Sequence, residues 1–121
     1  MSQSAYLINH LASVENIKVN VHDAKVLQSS FEIEMEAQGH SPNPMVQFFG
    51  QDEHLAAVKD CSSIVVMTES DEFKTYNYQQ LRSNMAPEHG ATIYDLRAYL
   101  DLGKIKACGF EKTFRLGSGL V

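Results

Sequence analysis

The chain has no tryptophan, two cysteines and three prolines, and no apolar run approaching the ~20 residues that cross a bilayer. Glycine and proline together make up ten of its 121 residues, which excludes collagen-like and low-complexity classes. Cys61 and Cys108 stand far apart with no CxxC spacing, so they predict neither a disulfide framework nor a zinc site. Two reduced thiols fit a cytoplasmic protein. The opening MSQSAYLINHL has no basic stretch before its short apolar run, so no secretory signal is expected. Basic residues are also few. Ten Lys and Arg face fifteen Asp and Glu, a net charge of −5, which speaks against binding long nucleic acids.

What remains is ordinary globular composition, 44% hydrophobic and 21% charged, enough for one domain over 1–121. The charge is unevenly spread. Residues 91–121 carry five bases, Arg97, Lys104, Lys106, Lys112 and Arg115, against three acids, while residues 1–90 carry five bases against twelve acids. A small anion suits the C-terminal third better than a duplex does.

Periodicity predicts an α/β fold, a single domain with a mixed β-sheet flanked by helices. Ser4 to Leu11 reads as a first strand with apolar residues on both faces, and Ile17, Val19 and Val21 alternate as a second. Asp23 to Ala37 places Leu27, Phe31 and Met35 at helical spacing, capped by Asn20 or His22 and closed by Gly39, while Phe31 to Glu36 (FEIEME) also reads as an alternating strand. Two prolines make a rigid corner of Gly39-His40-Ser41-Pro42-Asn43-Pro44, followed by a short helix from Met45 to Gly50. Ser63 to Met67 is a β-branched strand buried on both faces, and 68–84 is an insertion or long loop with a helical turn at Tyr78 to Arg82. Thr92 to Leu102 reads as the best helix, with Thr92 as cap, Asp95 as its capping-box partner and Gly103 past its end. Lys104 to Phe110 alternates as a last strand, and 116–121 is a loose tail.

For chemistry, five histidines show no HxH or HExxH pairing, so no metal is predicted. There is no glycine-rich phosphate loop and no GxSxG elbow, and no cofactor is expected. Metal-free acid–base work by a histidine is then the available chemistry, with His40 the first candidate because the Gly-His-Ser-Pro corner holds it rigidly before a helix start. Glu88, beside His89 in a turn, and Asn9 and Ser13, at the end of the first predicted strand, lie where α/β proteins bind ligands.

Together these short motifs resemble the small viral ring nucleases that act as type III anti-CRISPR proteins. Tyr6-Leu7-Ile8-Asn9 with Ser13 matches their opening strand, Gly39-His40 follows a helix, and Glu88-His89-Gly90 leads to a Thr-headed segment and Gly103-Lys104. The likeness runs from about residue 5 to 112. It implies a cytoplasmic homodimer that binds a cyclic oligoadenylate, cyclic tetra-adenylate, and cuts it without metal. A ribose 2′-hydroxyl attacks its own phosphate and leaves a 2′,3′-cyclic phosphate. His40 would be the general acid, Glu88 its helper, Asn9 and Ser13 would position phosphate or ribose, and Arg82 would offset charge. Two other readings accompany it: a sponge that holds a cyclic nucleotide uncut, and an acidic inhibitor that binds a defence protein through Glu32, Glu34 and Glu36.

Overall fold

A computed structural model describes residues 2–23, 25–40, 42–88, 90–115 and 119–120. The residues fall into two compact units, Met1–Ala57 and Val58–Val121.

In the first unit, α1 (Ser2–Asn9) runs on as a π-helical turn, His10–Val14. Ala5, Ile8 and Ala12 are buried at intervals of three and four, a helical stripe, while Tyr6 stands 69% exposed. The strand expected over 4–11 is therefore a helix: small and branched residues on one face outweigh the alternation around Leu7. Strand β1 (Val19–His22) pairs in parallel with β2 (Val46–Phe49), Val19 opposite Val46 and His22 opposite Phe49. The predicted second strand thus stands, and the short helix expected after Pro44 is instead a strand.

Helix α2 (Gln28–Ala37) lies between β1 and β2 in the chain. It starts five residues later than expected, and neither Asn20 nor His22 caps it: Leu27 occupies the cap position with no side-chain hydrogen bond. Asp23 shapes the approach instead, its Oδ1 accepting the N–H groups of Lys25 and Val26 at 2.8 and 3.1 Å. Buried Phe31 stacks on Phe48 of β2 at 5.2 Å, which fixes the helix on the strand pair. Gly39 ends α2 at φ +81°, the conformation its missing Cβ permits. A short helix α3 (His54–Ala57) is held by Asn20, whose Nδ2 donates to the Ala57 carbonyl at 2.8 Å.

The second unit carries a four-stranded mixed sheet in the order β3–β4–β5–β6. Strands β3 (Ser63–Val66), β4 (Ala91–Asp95) and β5 (Phe110–Arg115) are parallel, and β6 (Gly119–Leu120) closes antiparallel on β5. The α/β class with a mixed sheet beside helices is as the sequence predicts. Its details differ. β3 is not buried on both faces, since Ser63 is exposed and Val65 is 41% exposed. The stretch 68–84 carries two helices, α4 (Asp71–Thr75) and α5 (Tyr78–Asn84).

The helix expected from Thr92 is the central strand β4. Its buried residues, Ala91, Ile93 and Asp95, alternate with Thr92 and Tyr94, a period of two. Thr92 and Asp95 therefore cap nothing. The cap belongs to Asp101, which accepts the Lys104 N–H at the start of α6 (Leu102–Ala107). That helix contains Gly103 and replaces the strand expected over 104–110. Val66, Met85, Ala91, Ile93, Leu100, Leu102, Ile105 and Phe110 form one buried cluster. Of the expected tail, 119–120 pairs with β5, and 116–118 and 121 lie outside the described residues.

Candidate functional site

The carboxyl ends of adjacent parallel strands are where open α/β sheets hold their ligands. In the second unit that edge is set by Asp95, the last residue of β4, paired with Val66 on one side and Arg115 on the other. Asp95 is fully buried. Its Oδ1 accepts the Arg97 N–H at 3.2 Å, and its Oδ2 accepts those of Tyr99 and Leu100 at 2.7 and 2.8 Å. One side chain thus satisfies three donors of the turn after the strand. It also holds Ala98 at φ +53°, a left-handed conformation costly for a residue with a Cβ.

The pinned turn presents Arg97 and Tyr99 to the segment that leaves β3. Arg97 Nη2 meets Glu69 Oε2 at 2.9 Å, and both side chains are half exposed. Tyr99 Oη donates to Asp71 Oδ1 at 2.5 Å, and Lys74 Nζ lies 4.1 Å from the centre of the Tyr99 ring. The hydrogen bond to Asp71, ahead of burial and the neighbouring acids, pushes the Tyr99 phenol up to about 12. On the next strand, Arg115 Nη2 donates to the Leu100 carbonyl at 2.8 Å. Its Nε is buried with no acceptor among the described residues. Two guanidinium groups therefore leave this edge, one from the turn after β4 and one from the end of β5, a donor set suited to a phosphate or carboxylate.

In the first unit, a cavity of about 160 Å³ lies by the ends of β1 and β2, lined by Lys25, Leu27, Gln28, Phe48 and Glu53. That is below the roughly 300–1,000 Å³ of small-molecule sites. Nearby, the rings of His22 and His54 are tilted at 6.2 Å, and His22 Nδ1 lies 3.3 Å from the Phe49 carbonyl. Burial holds the His22 pKa below the ordinary imidazole value.

The residues singled out from sequence are dispersed. His40 follows the C-terminal end of α2, its N–H bonded to the Met35 carbonyl at 2.9 Å, and so does not stand before a helix. Asn9 and Ser13 do meet: Ser13 Oγ donates to Asn9 Oδ1 at 3.2 Å and accepts from Asn43 Nδ2 at 3.1 Å. In the other unit, Arg82 donates from Nε to the Gly109 carbonyl and from Nη1 to the Ala86 carbonyl, at 3.2 and 3.3 Å. Glu88 is exposed in the turn after α5, and its neighbour His89 lies outside the described residues, as does Ser41. Among the described residues no group of three or more His, Cys, Asp or Glu is placed to hold a metal ion, and no helix is long and apolar enough to cross a membrane.

The sequence reading missed Asp95 and Glu69, and named Arg97 and Arg115 only as members of a basic region. The available signal was Thr-Ile-Tyr-Asp-Leu-Arg: a β-branched strand ending in a short acid, with an arginine two residues on.

A family model described as "UDP-glucose/GDP-mannose dehydrogenase family, UDP binding domain" matches residues 1–102. UDP-glucose 6-dehydrogenase of Caenorhabditis elegans is 32% identical over 117 residues, 97% of this chain and 24% of that protein. UDP-glucose 6-dehydrogenase 4 of Arabidopsis thaliana is 34% identical over 73 residues, 60% of this chain and 15% of its own length. UDP-glucose 6-dehydrogenase 1 of Glycine max is 39% identical over 54 residues, 45% of this chain and 11% of its own length. The chain thus spans about a quarter or less of these relatives. These matches overturn the anti-CRISPR resemblance, and with it the ring-nuclease activity, the cyclic oligoadenylate ligand and the homodimer built around that ligand. The resemblance rested on dipeptides such as Gly-His and on a Thr-headed helix, and that helix is a strand.

Proposed function

The chain belongs to the UDP-glucose/GDP-mannose dehydrogenase family, and from that premise we propose that it binds the UDP moiety of a UDP-sugar at the carboxyl edge of β3, β4 and β5. The observation that carries this reading is the turn at 96–100. Buried Asp95 fixes it through three hydrogen bonds, and it presents a half-exposed Arg97 beyond the strand ends. The matched stretch ends at residue 102 and so includes Asp95, Arg97 and Tyr99. Arg97 binds the diphosphate, because a planar guanidinium meets two phosphate oxygens at once with charge-assisted hydrogen bonds. Arg115 supports the turn through the Leu100 carbonyl and adds positive charge.

The dehydrogenase activity in the relatives' names belongs to proteins much longer than this chain. We assign to this chain the holding of the nucleotide, and to the whole protein the oxidation of a UDP-sugar. The reading gives His40, Glu88, Asn9, Ser13 and Arg82 no part in the site. A cytoplasmic setting accords with it, and with Cys61 and Cys108 remaining thiols.

Isothermal titration of the 121-residue chain with UDP, UMP and uridine tests the proposal. UDP should bind most tightly and uridine least. Arg97→Ala should weaken UDP about ten- to hundredfold, the worth of a charged hydrogen-bond pair, and leave uridine unchanged. Equal UDP affinity in wild type and Arg97→Ala, or no UDP binding at all, would remove this reading.

A further inference from the structure

We propose that Glu69 is a built-in competitor for the nucleotide: in the ligand-free protein its carboxylate holds Arg97, and the incoming diphosphate must displace it. The inference rests on the UDP reading, and adds to it a residue that sets affinity without binding the ligand.

The geometry has three parts. First, the pair is weakly made. Arg97 offers one nitrogen, Nη2, to one oxygen, Oε2, at 2.9 Å, with both side chains half in water. Exposed pairs of this kind contribute little and exchange readily. A diphosphate carries more charge and engages both prongs of the guanidinium, so it outcompetes a single carboxylate oxygen.

Second, the backbone does not depend on the pair. The 96–100 turn is fixed from beneath by Asp95 and tied sideways by Tyr99 to Asp71. Losing Glu69 from Arg97 frees the guanidinium and leaves the turn standing. Third, Glu69 sits three residues beyond the end of β3, the strand that neighbours β4. Its charge is therefore at the same sheet edge as the proposed site, and it discourages any anion too weak to replace it. The pair therefore lowers the affinity of any ligand that must take Arg97 from Glu69, and leaves a neutral ligand that does not use Arg97 untouched.

The test is a double-mutant cycle read by titration with UDP. Glu69→Gln removes the charge and keeps the size of a half-exposed side chain. It should tighten UDP about two- to fivefold, the scale of an exposed ion pair, and leave uridine unchanged. In an Arg97→Ala background the same substitution should have no effect.

Three results overturn the competitor role while sparing the UDP reading, provided Arg97→Ala still weakens UDP. Glu69→Gln leaves UDP affinity unchanged; it weakens UDP, which makes Glu69 a direct contact; or it tightens UDP equally with and without Arg97, which is general charge repulsion. If Arg97→Ala binds UDP as wild type does, or no variant binds UDP, both proposals fall together.

Discussion

Single residues decide the two sheet edges, and in each case a short acid does the work. Asp95 ends β4 and Asp23 follows β1, and both accept backbone N–H groups of the next turn. Their side chains are short enough to reach back to their own loop, which glutamate does less well. Asp95 is the more constrained, since it is fully buried and answers three donors. His22 shows the other consequence of partial burial. Desolvation holds its pKa below the ordinary imidazole value, so the folded state takes up its proton less readily than the unfolded chain. Stability from a neutral His22 is then complete above the ordinary imidazole range and is lost as pH falls through it and toward the depressed folded value. Urea unfolding of wild type and His22→Gln between pH 8 and about pH 5 checks this, with the variant expected to lose less stability on acidification. An equal loss in both would place the acid sensitivity elsewhere.

At the scale of elements, the loops at the carboxyl edge are tied by side chains rather than by further backbone pairing. Tyr99 and Asp71 join the turn after β4 to the first residue of α4, with Lys74 over the ring. The hydrogen bond to Asp71 is the largest cause of a tyrosine pushed up to about 12. Asp71→Asn should lower it toward the ordinary phenol value. Ultraviolet titration of wild type and variant reads this as phenolate absorbance gained at lower pH, and a superimposable pair of curves would break the assignment. Because the folded pKa is raised, the stability from this tie is complete below the ordinary tyrosine pKa and fades as pH rises through about 12.

How far the elements were legible follows from their length. Strands of four to six residues carry too few turns of any period to separate helix from sheet. Ser-Ile-Val-Val was readable because three β-branched residues run together. Ala-Thr-Ile-Tyr-Asp was not, since a threonine followed three residues later by an acid also fits a helix start. Tertiary pairing with β3 on one side and β5 on the other settles it as a strand. The same ambiguity hid the site. With β4 read as a helix, Asp95 looked like a capping partner and Arg97 like a surface base. Only the excess of positive charge in the last third pointed to an anion.

For the whole molecule, that charge asymmetry and the division into two units make ligand binding measurable in one place. The proposed site belongs to the unit Val58–Val121, which also holds Tyr76, Tyr78, Tyr94 and Tyr99, four of the five tyrosines of a chain without tryptophan. Tyrosine emission on heating therefore reports chiefly the unit that binds. UDP at about a hundred times its dissociation constant should stabilise that unit by about 2.7 kcal/mol, a rise in Tm on the order of 10 °C for a domain of this size. At the same UDP concentration, a site weakened ten- to hundredfold by Arg97→Ala retains only about 0.4–1.4 kcal/mol of that stabilisation. The variant's shift should thus fall to half or less, while its Tm without ligand changes little because Arg97 is half exposed. An undiminished shift in Arg97→Ala would mean that UDP stabilises the protein from somewhere other than the β4 edge. A shift lost together with the ligand-free Tm would mean that Arg97 serves the fold rather than the nucleotide.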